Sequence, residues 1–274
     1  MVKTLSKIGL IAGAVLVVLV IVLALCANIL SLYSPMSQNI SERLTPPSQQ
    51  HPFGTDYMGR DNQARVFYGL RATLGVSALA VLIALVIGGV LGLIGGACGS
   101  AINRVVILFA RFLSAGPGIL LLLAIAYRWG SSVLHMALGM PIVLMPGFIR
   151  VFSGLIFCVK GNGAKKALGM VAAQIFLSMA MAALICAALG WMGFGIPVPT
   201  PELGSIIAGG IAYLRNAPFL IVYPSLALVV TALSFFILGE SLNALVLVGE
   251  SGGNNTELQE PSPQQLHNNL IRPE

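Results

Sequence analysis

The chain has 274 residues, 57% of them hydrophobic and 9% charged, with a mean hydropathy of +0.92 and a formal net charge of +6. Ordinary soluble domains carry about a quarter of their residues as charges, so this composition excludes that class and describes a polytopic membrane protein. In such a chain the surplus of Lys and Arg belongs to cytoplasmic loops, and it gives no argument for nucleic acid as a partner.

Uncharged runs of roughly 20 residues are read as spans, because that length of helix crosses about 30 Å of hydrocarbon. Lys3 and Lys7 precede the first run, residues 8–32. It is too long for the apolar stretch of a secretory signal, and Leu25 is bulky where a lipoprotein cleavage site needs a small residue. The expectation is an uncleaved first helix with a cytoplasmic N-terminus. A polar segment, 33–71, comes next. The second span lies within 72–101, and residues 103–111 are short and basic. The third span centres on 118–127 and the fourth on 132–148. A second basic segment covers 150–166. The fifth span lies within 167–193, a Pro/Gly-rich stretch covers 195–218, and the sixth span is 219–239.

The expected fold is therefore all-α, with about six transmembrane helices. Residues 1–71 hold the first helix and an extracytoplasmic segment, residues 72–248 a core of about five further helices, and residues 249–274 a disordered polar cytoplasmic tail. Charge placement agrees. Arg104, Arg111, Arg150, Lys160, Lys165 and Lys166 all fall on the cytoplasmic side with no acid among them, whereas Glu42, Asp56 and Asp61 offset the arginines of the 33–71 connection. Arg128 falls near the outer end of the third span.

The second span contains GGVLGLIGGACG, residues 88–99, in which Gly88/Gly92 and Gly92/Gly96 are small-xxx-small pairs. Such pairs let helix backbones approach closely in lipid. They fit packing within the chain, a dimer face or a moving helix beside a substrate path.

Motifs for chemistry are missing. The stretch GNGAKK, residues 161–166, has the wrong spacing for a P-loop, and neither HExxH nor GxSxG occurs. Cys26, Cys98, Cys158 and Cys186 lie far apart, which fits packed thiols rather than disulfides or zinc ligands. Glu240 is the one acid near a span, at the end of the last, which argues against a proton-coupled carrier. His51, Asp56 and Asp61 have ligand chemistry without a recognisable metal spacing; turns at Gly54 and Gly59, a cap by Asp56 and ion pairs of Arg60 and Asp61 explain the same block. His135 reads as a packed or interface residue.

Two long motifs carry a resemblance. HPFGTDYMGRDNQARVFYGLRATLGVS, residues 51–77, resembles the H-P-L-G-T-D-x-x-G-R-D signature of the dipeptide/oligopeptide/nickel family of ABC importer permeases, in its "C"-type subunit. GFGIPVPTPELGSIIAGGIAYLRNAPFLIVYPSLALVVTALSFFILGESL, residues 193–242, is similar to the family's G-L-G-I-x-x-P-T-P-E-W-G segment and to the helix beyond it. MPGFIR, residues 145–150, looks like its W-P-x-Y-A-R.

The resemblance implies the type I ABC importer permease fold and a location in a bacterial or archaeal cytoplasmic (inner) membrane. It implies half of a translocation pathway for peptides or for nickel and similar metal chelates. It further implies a second permease as heterodimer partner, two ATPase subunits that bind ATP and Mg on the cytoplasmic face, and an extracytoplasmic solute-binding protein. The chain itself would be no enzyme, with no cofactor or metal of its own, surrounded by membrane lipid. The extracytoplasmic signature is Gly54, Thr55, Asp56, Gly59, Arg60 and Asp61, and the second outer motif is Pro199, Thr200, Pro201, Glu202 and Gly204. The family's E-A-A-x-A-L-G coupling motif, which docks on an ATPase, corresponds to Gly163, Ala164, Lys165, Lys166, Ala167, Leu168 and Gly169.

The cytoplasmic side departs most from the family pattern. Its opening acid is Gly163, the charged stretch before it is reduced to residues 160–162, and the helix after Gly169 is shorter by more than ten residues. An Asp-Arg pair becomes Asn103-Arg104, an acidic position becomes Arg111, Phe-Pro becomes Gly116-Pro117, and the Asn of F-N-L-L-G-D becomes Phe236. Two other readings stay open: a decoupled, non-transporting paralogue or membrane scaffold, and a secondary transporter.

Overall fold

The computed structural model describes residues 2–159 and 163–254. All regular elements among them are helical, with one isolated antiparallel bridge between Thr55 and Asp61. Helix α1 (Val2–Leu25) breaks at Cys26 and continues as the single turn α2 (Ala27–Leu30), so the first span ends earlier than the uncharged run suggests. The break brings Asn28 to the side chain of Arg71, at 3.4 Å, where both are polar enough to sit at the membrane boundary. Val17, Val20 and Ala24 are buried, while Ile11, Val15, Val18 and Val22 point outward into what must be lipid or another apolar chain.

Helix α3 (Asn62–Ala97) has 36 residues. At 1.5 Å per residue it is about 54 Å long, well beyond the roughly 30 Å of hydrocarbon, so its first turns stand in the polar layer. It packs along α7 (Pro141–Val159). A Cβ on Gly88 would lie 2.8 Å from the Met145 carbonyl, and one on Gly92 would lie 2.7 Å from that of Ile149. Those glycines serve close packing inside this chain: with no side chain there, the two backbones meet and gain dispersion contacts.

Between them lies the largest departure from expectation. The basic connection 103–111 belongs to an amphipathic helix, α4 (Ser100–Ser114), which buries Ala110 and Leu113 and exposes Arg104 and Arg111. At Ala115 and Gly116 the chain bends by 65° into α5 (Pro117–Trp129). Gly116 takes φ +119°, open to glycine, and Pro117 starts the next helix, where its missing N–H costs nothing. The 13 residues of α5 span only about 20 Å. Five helices are long and apolar enough to cross a membrane, or six if α4 and α5 form one broken span. Arg128 stands in the last turn of α5.

Helix α6 (Val133–Gly139) leads into α7, the two together forming one candidate span, Val133–Leu155. Helix α8 (Ala164–Trp191) comes next, then the short apolar α9 (Leu203–Gly210) and the long α10 (Phe219–Asn254). With no proline between Pro224 and Pro261, α10 runs through residues 249–254, which composition alone places in the tail; residues 255–274, the rest of that tail, lie outside the described residues, as do residues 160–162 with Lys160. One core joins α3, α7 and α8 around Ala80, Ala84, Phe148, Ala182 and Cys186, and the other joins α1, α3, α9 and α10 around Val20, Leu70, Leu203 and Leu238. Antiparallel packing of α1 on α10 and of α8 on α10 gathers the 33–61 and 192–218 connections at one end and the start of α8 at the other.

Candidate functional site

The block 51–61 folds as a knot of hydrogen bonds on the first turn of α3. Its centre is Asp56, 4% exposed. Oδ1 accepts the backbone N–H of Met58 and of Arg60, at 2.8 and 2.9 Å. Oδ2 accepts Arg60 Nε at 2.7 Å and also bonds Arg65 Nη1. One carboxylate thus pairs with two guanidinium groups at once, and such pairing is what makes buried ions tolerable. Asp61 is the N-cap of α3: its Oδ2 accepts the Ala64 N–H at 2.7 Å, and its Oδ1 meets His51 Nδ1 at 2.8 Å. The other imidazole nitrogen of His51 is 3.5 Å from Glu42. Thr55 accepts from the Thr45 N–H at 2.9 Å and donates to the Glu42 carbonyl. Gly54 and Gly59 have φ of +69° and +72°, and a Cβ on Gly59 would collide with the Asn39 backbone, so both glycines are required by conformation and space.

Of the three candidate metal ligands, His51 and Asp61 bind each other while Asp56 is taken up by arginines. No group of three or more His, Cys, Asp or Glu suited to a metal ion occurs among the described residues.

The second motif, residues 199–204, is built as tightly. After α8, Gly193 at φ +87° ends the helix: the Phe194 N–H reaches the Leu189 carbonyl at 2.8 Å and the Gly193 N–H that of Gly190 at 3.2 Å, a Schellman ending. The Val198–Pro199 peptide is cis. Glu202, fully buried, then caps α9: its carboxylate accepts the N–H groups of Gly204 at 2.9 Å and Ser205 at 3.1 Å. That carboxylate lies over Gly190, where any side chain would strike it, and Gly204 lies against the Ala187 carbonyl. Burial pushes the Glu202 carboxyl up to about 7, although the two N–H bonds pull the other way.

The structure brings these two motifs together. Asp56, Arg60, Pro199 and Thr200 line one cavity of about 410 Å³, with Tyr57, Asn62, Arg65, Ser205 and Gly209. Tyr57 stacks on Tyr213 at 5.5 Å between ring centres, and the Arg60 guanidinium sits 5.6 Å from the Tyr57 ring centre. Gly54, Thr55, Gly59, Asp61, Pro201, Glu202 and Gly204 stay outside the lining; Gly54 abuts the Phe219 ring at the start of α10.

At the opposite end, Gly163 is the N-cap of α8, and residues 164–169 are the first turns of that spanning helix rather than a separate short helix. Ala167 is buried and Gly169 packs on Val246 of α10. Ala164 and Lys165 are exposed, and Leu168 is 72% exposed.

Searched against models of protein families, the chain matches none. Against characterised proteins it is 31% identical to the dipeptide transport system permease of Alkalihalophilus pseudofirmus, over 85% of this chain and 83% of that protein. It is 27% identical to a probable D,D-dipeptide transport system permease of Escherichia coli K12, over 90% and 89%. It is 28% identical to the glutathione transport system permease of Pectobacterium atrosepticum, over 85% and 84%. The chain belongs to the dipeptide-type ABC importer permease family. It is a multi-pass membrane permease subunit, and its kin are named for peptide transport rather than nickel.

Asn62, Arg65 and Glu42 complete the knot around Asp56 and Asp61, yet none of them stands out in the permease sequence as a site residue. Arg65 carries a signal that could have exposed it: it is a cation on the first turns of a helix that enters the membrane, and such a charge needs a partner. Glu42 carries none, since only folding brings it to His51.

Proposed function

We propose that this permease forms one half of the pathway through which an ATP-driven importer moves peptides across a bacterial cytoplasmic membrane. The observation that carries the reading is that residues of both family motifs, Asp56 and Arg60 of the first and Pro199 and Thr200 of the second, line one cavity; the naming of its relatives for dipeptides, D,D-dipeptides and glutathione supports peptides over metal chelates. The partners are a second permease, two ATPase subunits that carry ATP and Mg, and a solute-binding protein outside. The N-terminus and the start of α8 face the cytoplasm, in accord with the basic residues there. ATPase closure pulls on Gly163, Ala164, Lys165, Lys166, Ala167, Leu168 and Gly169, and the continuity of this segment with α8 transmits the pull to the bundle as a rigid-body motion. The exposed Leu168 is its apolar contact.

Co-expression with a peptide-type second permease, ATPases and binding protein, followed by reconstitution in liposomes, tests this. ATP-dependent uptake of a labelled dipeptide is expected. A stable homo-oligomer that never engages an ATPase, or uptake driven by an ion gradient without ATP, overturns it. A decoupled paralogue is the second reading, favoured by the absence of a separate coupling helix among the described residues; it predicts that ATPase subunits bind without stimulation, and that a full-length coupling segment restores it.

A further inference from the structure

The outer cavity is built for more than shape. Among the described residues, two buried side-chain atoms without a hydrogen-bond partner belong to residues of its wall: Asn62 Oδ1 and Arg65 Nε. Asn62 is fully buried, and its amide nitrogen donates one N–H to the Phe53 carbonyl at 3.2 Å. Three residues apart on the first turn of α3, Asn62 and Arg65 share a helix face. A buried polar atom left unpaired costs free energy, which a ligand recovers by pairing it. The two atoms ask for complementary things. Asn62 Oδ1 needs an N–H, and Arg65 Nε needs an oxygen. The charges of the wall are Asp56, Arg60 and Arg65, so one positive charge is left over and the oxygen should be anionic.

One chemical unit meets all three demands: the last residue of a peptide, which carries a carboxylate and an amide N–H a few bonds apart. We propose that this cavity is a subsite for the carboxyl-terminal residue of a short peptide, with its carboxylate at Arg65, its amide N–H on Asn62 Oδ1 and its side chain beside Tyr57. A volume of about 410 Å³ lies within the roughly 300–1,000 Å³ of small-ligand sites. The proposal rests on the peptide-import reading and deepens it: the permease takes hold of the peptide at the outer mouth, before translocation.

The test uses the full chain in lipid nanodiscs, with binding of Ala-Ala, Ala-Ala amide and acetate monitored by saturation-transfer NMR. Ala-Ala should bind at least about tenfold more tightly than either the amide or acetate, the scale of one charged hydrogen bond. Gly209→Leu fills the cavity without backbone strain, since a Cβ there meets only the Tyr57 ring at 3.5 Å. It should abolish Ala-Ala binding and leave the melting temperature unchanged. Arg65→Lys keeps a cation for Asp56 but removes Nε, and should weaken Ala-Ala about tenfold while leaving the amide unaffected. Equal binding of acid and amide, binding of acetate as tight as that of Ala-Ala, full binding by the Gly209→Leu protein, or no binding by the unaltered chain each overturns the subsite. Dipeptide uptake by the assembled importer is measured in parallel. Uptake without cavity binding removes the subsite and leaves the import reading, whereas cavity binding without any ATP-driven uptake removes the import reading.

Discussion

At the end of the molecule that the proposed topology places outside, Asp56 holds two guanidinium groups and two backbone N–H groups, and Asp61 caps α3 while holding His51. At the other end Arg104, Arg111 and Lys165 stand exposed and make no ion pair among the described residues, and Leu168, one turn beyond Lys165 on α8, is exposed as well. The knot at the first end pairs its buried charges within the chain, while Arg43, Arg128 and Arg215 at that end stay exposed. The inner end has left cations and an apolar side chain for something else to cover. Structures that must hold one shape against water bury and pair their charges, while surfaces that exchange partners keep them free, since an exposed charge costs little alone and gains by complementarity. The contrast also runs parallel to the sequence, whose family motifs are kept outside and altered inside.

Four substitutions probe this contrast, from the largest effect on the fold to the smallest. Asp56→Ala leaves Arg60 and Arg65 buried without a counter-charge, a loss of roughly 3–5 kcal/mol; detergent thermal melts should show it as a large drop, whereas Arg104→Ala at the inner end should shift stability by no more than about 0.5 kcal/mol. Equal effects would erase the distinction between the two ends. Gly92→Ala forces a methyl onto the Ile149 carbonyl and should cost about 1–3 kcal/mol. Gly75→Ala, with nothing within 4 Å, should be neutral or slightly stabilising on the same helix.

Glu202 gives a pH signature for the outer end. Its carboxyl is near 7 in the fold against 4.5 in the unfolded chain, so the folded state binds the extra proton between those values. Stability should therefore fall as pH rises from about 4.5 to about 7 and level off above. Melts of the Glu202→Gln protein should lack that slope, and an unchanged slope would assign it to other groups. Last, Leu168→Asp should alter stability by no more than about 0.5 kcal/mol, because the side chain is already exposed. It should nevertheless abolish ATP-driven uptake in the reconstituted importer; unaltered uptake would take the coupling role from this segment.

Much of this is legible in the residues. Spans emerge from hydropathy because a bilayer demands long uncharged helices whatever the packing. Gly54 and Gly59 are readable as turns and Asp56 as the cap of a turn because those are local demands of backbone geometry, whereas Asp61 reads as an ion-pair partner and is in addition the N-cap of α3. The 103–111 stretch reads as a short basic connection, and its helical form is not apparent there: two arginines seven residues apart lie on one face of a helix and do not interrupt it. The early start of α8 is obscured likewise, since Lys165 and Lys166 end an uncharged run without ending a helix.

The sequence by itself determined that this chain lives in a membrane, that it is helical, where its turns fall and which permease family it joins. Those properties depend on composition, on spacing along one helix or on a few adjacent residues. Only the tertiary structure decided that Arg65 shares Asp56 with Arg60, that Glu42 meets His51, that Glu202 lies over Gly190, and that loops from opposite halves of the chain enclose one cavity. Each of these pairs a charge or a surface with a group brought near by helix packing, and the energy of such a pair depends on distance in space, to which separation along the chain is blind.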